Sequence, residues 1–260
     1  MLIEAHCHLN AYARKSFGGT LAPVIQEIER NKILTMANSM DFTSYKINKR
    51  IGRMCGYVIP SFGIHPWNAY KYTGKLDMIR EMIRKTRIIG EIGLDHLLVK
   101  DASRYPAQQE IFELFLSESA DRMLSVHSRG TDQLVLDLLK KYGSKRVVMH
   151  SYAGPLDILK KLIEQGYYFS IGPKVNLSEK IQEIVRTIPL DQLLTETDNP
   201  GGSATYTSKK PTPLFVRQVV EGIAECKNVP ADDVEAQVES NFIKLSYGII
   251  PASVFGSCRG

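Results

Sequence analysis

Short runs rich in β-branched and aromatic residues, such as ILTMANS and RVVMHSY, exchange regularly along the chain with longer segments such as YPAQQEIFELFLSESADRM. In the longer segments the apolar positions return every three or four residues. The first pattern fits a strand buried on both faces, and the second an amphipathic helix. The strands read as LIEAHCHL, ILTMANS, YVIPSFGIH, RIIGEIGLD, LSVHSRG, RVVMHSYA, YYFSIGP and QLLTETD. Helices such as APVIQEIERN, DMIREMIRK, DQLVLDLLKKY, LDILKKLIEQ, EKIQEIVRTI and PLFVRQVVEGIAECK follow them. Gly143 and Gly166 stand where a helix end wants a left-handed residue, and Pro155 stands at a helix start, where its missing amide does no harm. Eight such units in 260 residues predict an α/β fold, a closed (β/α)8 TIM-type barrel occupying residues 1–260 as a single domain. The segment ADDVEAQVESNFIKLS and the tail PASVFGSCRG are expected to form a terminal cap.

Composition leaves this picture unchanged and narrows the setting. Hydrophobic residues at 43% and charged residues at 23% match an ordinary globular protein with a sizeable core. No apolar run reaches the roughly 18 residues that span a bilayer, and Glu4 interrupts any secretory signal of the usual pattern, so a cytoplasmic location without membrane contact is expected. Cys7, Cys55, Cys226 and Cys258 are scattered, without C-x-x-C pairing, and read as reduced thiols. A net charge of +5 is compatible with a polyanionic partner without requiring one. Of the basic clusters KINKR, KKYGSKR and SKK, the first two read as solvated helix faces and helix ends.

The chemistry starts with AHCHL. In an extended strand His6 and His8 project to one side, their Cα atoms about 6.6 Å apart at a rise of roughly 3.3 Å per residue, which lets both rings converge on one ion. An H-x-H pair alone is equally well explained as two polar residues on a half-exposed strand, so its meaning depends on company. Catalytic side chains in such a barrel come from the C-terminal ends of the strands. There the sequence places His6 and His8 (strand one), His65 in GIHPW (three), Glu91 in GEIGLD (four), His127 in VHSRG (five), His150 in VVMHSYAG (six) and Asp198 in LLTETD (eight). Five of the six histidines fall at one rim, which a set of unrelated core histidines explains poorly. The donors outnumber those of one tetrahedral site. A binuclear division assigns His6, His8 and Asp198 to one divalent ion and His127 and His150 to the other, with Glu91 bridging. Two ions about 3.5–4 Å apart share a water, lower its pKa and polarise a phosphoryl or carbonyl oxygen, the equipment of a hydrolase. Zinc, manganese and magnesium all suit the donors.

The ordered set AHCHL, GIHPW, GEIGLD, HSR, HSYAG and LLTETD followed by Pro200 resembles the TatD family of metal-dependent hydrolases, within the amidohydrolase-like barrels, over nearly the whole chain. The resemblance implies a two-metal barrel enzyme, commonly a metal-dependent deoxyribonuclease of 3'-to-5' exonuclease type, with some relatives deacylases. It implies His6, His8, Glu91, His127, His150 and Asp198 as ligands, and leaves His65 as a contact to substrate. Departures gather at the rim: Glu4, Asn10, Gly130 and Ser151 differ from the usual residues, and NPGGSATYTSKKPTP lacks the G-K-x-N-E-P run after the last aspartate.

Around this set, Arg129 shares a strand face with His127 and suits bidentate contact to a phosphate. Glu196, two residues before Asp198, is placed to orient a ligand or a water, or else to pair with a strand-end lysine. Trp67 either stacks a base or packs at the rim. His96 reads as an exposed loop residue, and YARKSFGGT as a lid or a solvated loop. The leading functional expectation is a two-metal phosphodiesterase acting on nucleic acid ends or a small phosphodiester, without an obligate protein partner. Asp198 handles the proton of the attacking water, and Glu91 holds the ions. The alternative is an amide or ester hydrolase acting on a small metabolite or aminoacylated RNA. A metal-bound scaffold without turnover is the remaining class.

Overall fold

The computed structural model describes residues 1–14, 19–119, 121–204, 212–251 and 254–255, with Ser203 and Ala204 described by backbone alone. The residues 15–18 of YARKSFGGT, the SKK cluster and Cys258 lie outside them. The strands are β1 (Ile3–Cys7), β2 (Leu34–Ala37), β3 (Val58–Pro60), β4 (Ile88–Asp95), β5 (Met123–Arg129), β6 (Val147–His150), β7 (Tyr168–Ile171) and β8 (Leu193–Thr195). The helices are α1 (Ala22–Asn31), α2 (Phe42–Met54), α3 (Leu76–Arg84), α4 (Tyr105–Ser117), α5 (Asp132–Lys141), α6 (Leu156–Glu164), α7 (Glu179–Thr187), the single turn α8 (Gly201–Ala204), α9 (Val216–Lys227) and α10 (Ala231–Ser246).

All pairings are parallel, in a ladder β1-β2-β3 and a ladder β4-β5-β6-β7-β8. A bridge between Phe62 and Ile89 joins the two on one side. On the other side the chain beyond β8 joins β1: Asp198 N donates to His6 O (2.9 Å) and His8 N donates to Asn199 O (2.7 Å). The (β/α)8 arrangement is thus met, with the ring completed by isolated hydrogen bonds where the ladders stop. Every residue of β4 is buried, as a parallel strand covered on both faces must be, and the helices lay their apolar stripes on the sheet, Ile79 and Ile83 of α3 among them. At the far end α10 docks by Asn241, whose Nδ2 donates to Leu190 O (2.9 Å) and Leu193 O (2.8 Å).

Two differences from the sequence-based expectation have physical causes. The strands are shorter than their apolar runs: β3 stops at Pro60 and β8 at Thr195, so His65 and Asp198 sit on loops. Asp198 has φ 53°, so strand alternation does not determine its direction. KINKR also reads from sequence as a helix face without bounds for that helix; it runs over residues 42–54, where Thr43, Ile47, Ile51 and Gly52 weaken the helical propensity of FTSYKINKRIGRM. Its start is fixed by a capping box, in which Asp41 Oδ1 accepts from Ser44 N (2.8 Å) and Ser44 Oγ accepts from Asp41 N (2.9 Å). Gly52 then lets the helix close on β3, since a Cβ there would lie 3.0 Å from Val58 O.

Asp41→Ala is therefore expected to cost about 1 kcal/mol. Thermal unfolding should register this as a fall in Tm of roughly 2–4 °C. An unchanged Tm would show that α2 is set by its packing alone.

Candidate active site

Glu91 is the centre of the rim cluster and is almost wholly buried. It reaches this position because Gly63 permits close approach of the neighbouring loop: a Cβ on Gly63 would fall 2.3 Å from Glu91 O. Five imidazoles surround the carboxylate. His6 Nε2 lies 3.4 Å and His8 Nε2 3.3 Å from Glu91 Oε2; His65 Nε2 lies 3.2 Å, His127 Nδ1 2.8 Å and His150 Nε2 3.9 Å from Oε1. Asp198 joins from the open side, its Oδ1 3.4 Å from His8 Nε2. The structure brings together every ligand candidate named from the sequence.

The ring nitrogens turned away from Glu91 are held. His8 Nδ1 lies 3.2 Å from Asn38 O, His6 Nδ1 3.0 Å from Ser125 Oγ, His150 Nδ1 2.7 Å from Glu196 Oε2 and His127 Nε2 3.1 Å from Asp95 Oδ2. A carbonyl or carboxylate on the outer nitrogen keeps the proton there and aims a lone pair inward, the usual support of a metal-binding imidazole. His65 is the exception. Its Nδ1 accepts from the Trp67 backbone amide (3.1 Å), so the neutral ring carries its proton on Nε2, the nitrogen 3.2 Å from Glu91 Oε1. This separates it chemically from His8, His127 and His150, whose outer nitrogens face a carbonyl or a carboxylate.

Electrostatics match that geometry. Burial alone would raise the pKa of Glu91, yet His65, His6 and His127 hold it well below the usual carboxylate range. Burial opposes a charge on His8, but Glu91 and Asp198 raise its pKa to about 9. His127 is likewise raised by Asp95 and Glu91 against its burial. His150 is pushed well below its ordinary value by burial and by His6 beside it. Glu196 is pushed well above the carboxylate range by burial, with Asp198 adding to the effect. The cluster demands positive charge between its carboxylates and rings. Among the described residues three sets have donor atoms within 4.8 Å of one another: His6, His8 and Asp198; His6, His150 and Glu196, which shares His6 with the first; and His65, Glu91 and His127. His6 Nε2 and Glu91 Oε2 are buried without a hydrogen-bond partner, as donors reserved for a cation would be. The residues present fit divalent metal.

A cleft of about 400 Å³ lies above, walled by Asn10, Arg14, Met40, Trp67, Leu98, Arg129 and Lys174. Arg129 Nη1 donates to Ser128 O (3.0 Å) and Ser151 O (2.9 Å), which fixes the guanidinium at the rim. Glu196 is tied to His150 and also accepts from Ser170 Oγ, with no lysine partner among the described residues. Trp67 is 44% exposed and its Nε1 donates to Asp95 Oδ2 (2.7 Å), so one carboxylate links a rim aromatic to His127. From the sequence Asp95 is given no role; its position closing GEIGLD is the available signal. His96, expected exposed, is half-buried and stacks on Tyr105 with ring centroids 3.6 Å apart. Glu4 is also fully buried, its Oε1 accepting from Thr197 N (2.8 Å) and its pKa raised to about 8 by burial.

The chain is similar to deoxyribonuclease TATDN3 of Homo sapiens, 25% identical with 94% of each chain covered. It is similar to the uncharacterized metal-dependent hydrolase YabD of Bacillus subtilis, 28% identical over 94% of this chain and 98% of that one. Among solved structures, the TatD homolog YjjV of Escherichia coli K12 superposes with a TM-score of 0.83 at 21% identity, covering 94% of this chain and 97% of that chain. The family model described as TatD related DNase matches residues 3–246, a span that contains every residue of the rim cluster. The chain belongs to the TatD-related DNase family.

Proposed function

We propose that residues 1–260 act as one catalytic unit, a two-metal hydrolase of phosphodiester bonds that takes nucleic acid ends. The observation that carries the reading is the Glu91 carboxylate among five imidazoles, with inward-facing atoms left unpartnered. His6, His8 and Asp198 would hold one ion, His127 and His150 the other, and Glu91 both; zinc, manganese and magnesium all suit these donors. Bound there, the ions would acidify a water and draw charge from a phosphoryl oxygen. Names borne by relatives, deoxyribonuclease and metal-dependent hydrolase, support the same chemistry.

The chain's own groups have separable tasks. Asp198 is the carboxylate of the cluster most open to the cleft, its side chain 36% exposed, and it accepts the proton of the attacking water. His65 donates from Nε2 to a non-bridging phosphate oxygen, a role its Trp67-fixed tautomer suits. Arg129, held by the Ser151 carbonyl, meets the added charge on the phosphate. Glu196 and Asp95 keep the His150 and His127 rings in register. Arg14, Arg129 and Lys174 on the cleft wall favour a phosphate over an uncharged acyl substrate, which sets the phosphodiesterase above the amide or ester hydrolase.

Elemental analysis of metal-loaded protein should find about two divalent ions per chain. Asp198→Asn should lower turnover by about 100- to 10,000-fold, the usual cost of losing a general base, while much of the metal is retained. Glu91→Gln should instead empty at least one position. Asp198→Asn with near wild-type turnover would remove its proton-accepting role.

Assayed with each metal in turn, the protein should hydrolyse bis-nitrophenyl phosphate and degrade a free single-stranded DNA end faster than duplex. Turnover of acyl substrates with no phosphodiesterase activity under any metal would overturn the reading.

A further inference from the structure

The outer face of α2 carries charge that the catalytic reading does not use. Phe42, Tyr45, Lys46, Lys49, Arg50 and Arg53 recur at helical spacing, so they form one stripe. With Met82 of α3 they line an open groove of about 450 Å³. The four cations are exposed, and FTSYKINKRIGRM contains no acid. Among the described residues none of the four lies in an ion pair, whereas Arg80 and Lys85 on or beside α3 pair with Asp77 and Glu81 and Lys141 pairs with Glu113. The Lys49 ammonium rests 5.5 Å from the Tyr45 ring centroid, within reach of a cation–π contact. Like charges three and four residues apart work against a helix unless something neutralises them.

The position of the groove indicates what would do so. The helix springs from Asp41, directly after Met40, which walls the metal-site cleft and whose carbonyl accepts from His65 N at 3.1 Å. From Phe42 to Arg53 the helix axis advances about 16 Å at 1.5 Å per residue. The cations therefore form a line that leads away from the mouth of the cleft, a shape that suits a linear polyanion already held at one end.

We infer that the α2–α3 groove binds the backbone of the single strand that flanks the reacting end, with its phosphates on Lys46, Lys49, Arg50 and Arg53. This rests on the phosphodiesterase reading for its source of substrate, but it is tested by binding. The groove residues touch none of the metal-site groups, so the two can be separated.

The probe is a labelled single strand of about 20 nucleotides with phosphorothioate linkages, titrated by anisotropy onto metal-loaded protein at several salt concentrations. Replacing all four cations by Gln should weaken binding at least about tenfold at low salt. It should also flatten the log K against log salt slope by up to about 3, at roughly 0.7 for each phosphate no longer neutralised. Each single Gln variant should flatten it by about 0.7. Exchanging Lys for Arg and Arg for Lys at these positions should preserve binding, and bis-nitrophenyl phosphate turnover should stay within about twofold of wild type throughout. Unchanged affinity and slope in the quadruple variant would overturn the inference. So would a wild type that binds anionic phosphatidylserine vesicles through these residues but not the strand. Strand binding that depends on α2 in a protein without phosphodiesterase activity would support the groove and remove the reading of the site.

Discussion

A buried carboxylate facing five imidazoles is the constraint around which this protein is arranged. Taking the charge of Glu91 out of water is costly, and it is tolerable only where positive charge is supplied at close range. The rings of His6, His8, His65, His127 and His150 stand within 3.9 Å of its oxygens. Most of the polar architecture at the barrel mouth serves to aim those rings. Asn38, Ser125, Glu196 and Asp95 each occupy an outer ring nitrogen, so the inner nitrogens have little freedom to turn elsewhere. These supports lie on or directly beyond different strands, Asn38 after β2, Asp95 on β4, Ser125 on β5 and Glu196 after β8, and the fold holds those strands in fixed order.

This arrangement also links the rim of the cleft to the centre. Asp95 takes the Trp67 indole on Oδ2 and the amides of Leu97 and Leu98 on Oδ1, while Oδ2 also holds His127. The Trp67 amide in turn sets the His65 tautomer. The end of β4 and the segment after β3 thus together fix a rim aromatic, the His65 tautomer and the His127 ring. Arg129 is placed by a different device, the Ser151 carbonyl, whose residue has φ 46°.

Much of this is legible in the sequence because the signals are local. Helical periodicity locates α1 and α10, Ala22–Asn31 and Ala231–Ser246, on the segments APVIQEIERN and ADDVEAQVESNFIKLS. Strand order and the rim histidines follow from the repeated βα pattern. What stays hidden depends on partners far apart in the chain. The apolar runs do not reveal where ladder bonding ends, so His65 and Asp198 read as strand residues although both lie on loops. Of the helix over 42–54 only the KINKR face is read from sequence; its bounds are blurred by weak propensity and set by a cap built on Asp41 and Ser44. The links from Asp95 to Trp67 and from His6 to Ser125 span 28 and 119 residues, distances at which no spacing rule operates.

Everything proposed for the chemistry depends on two cations sharing Glu91. Anomalous diffraction from manganese- or zinc-soaked crystals tests this directly. Two peaks are predicted, one against His6, His8 and Asp198 and the other against His127 and His150, with the Glu91 carboxylate between them. A single peak at saturating metal, or two peaks neither of which touches Glu91, would contradict it.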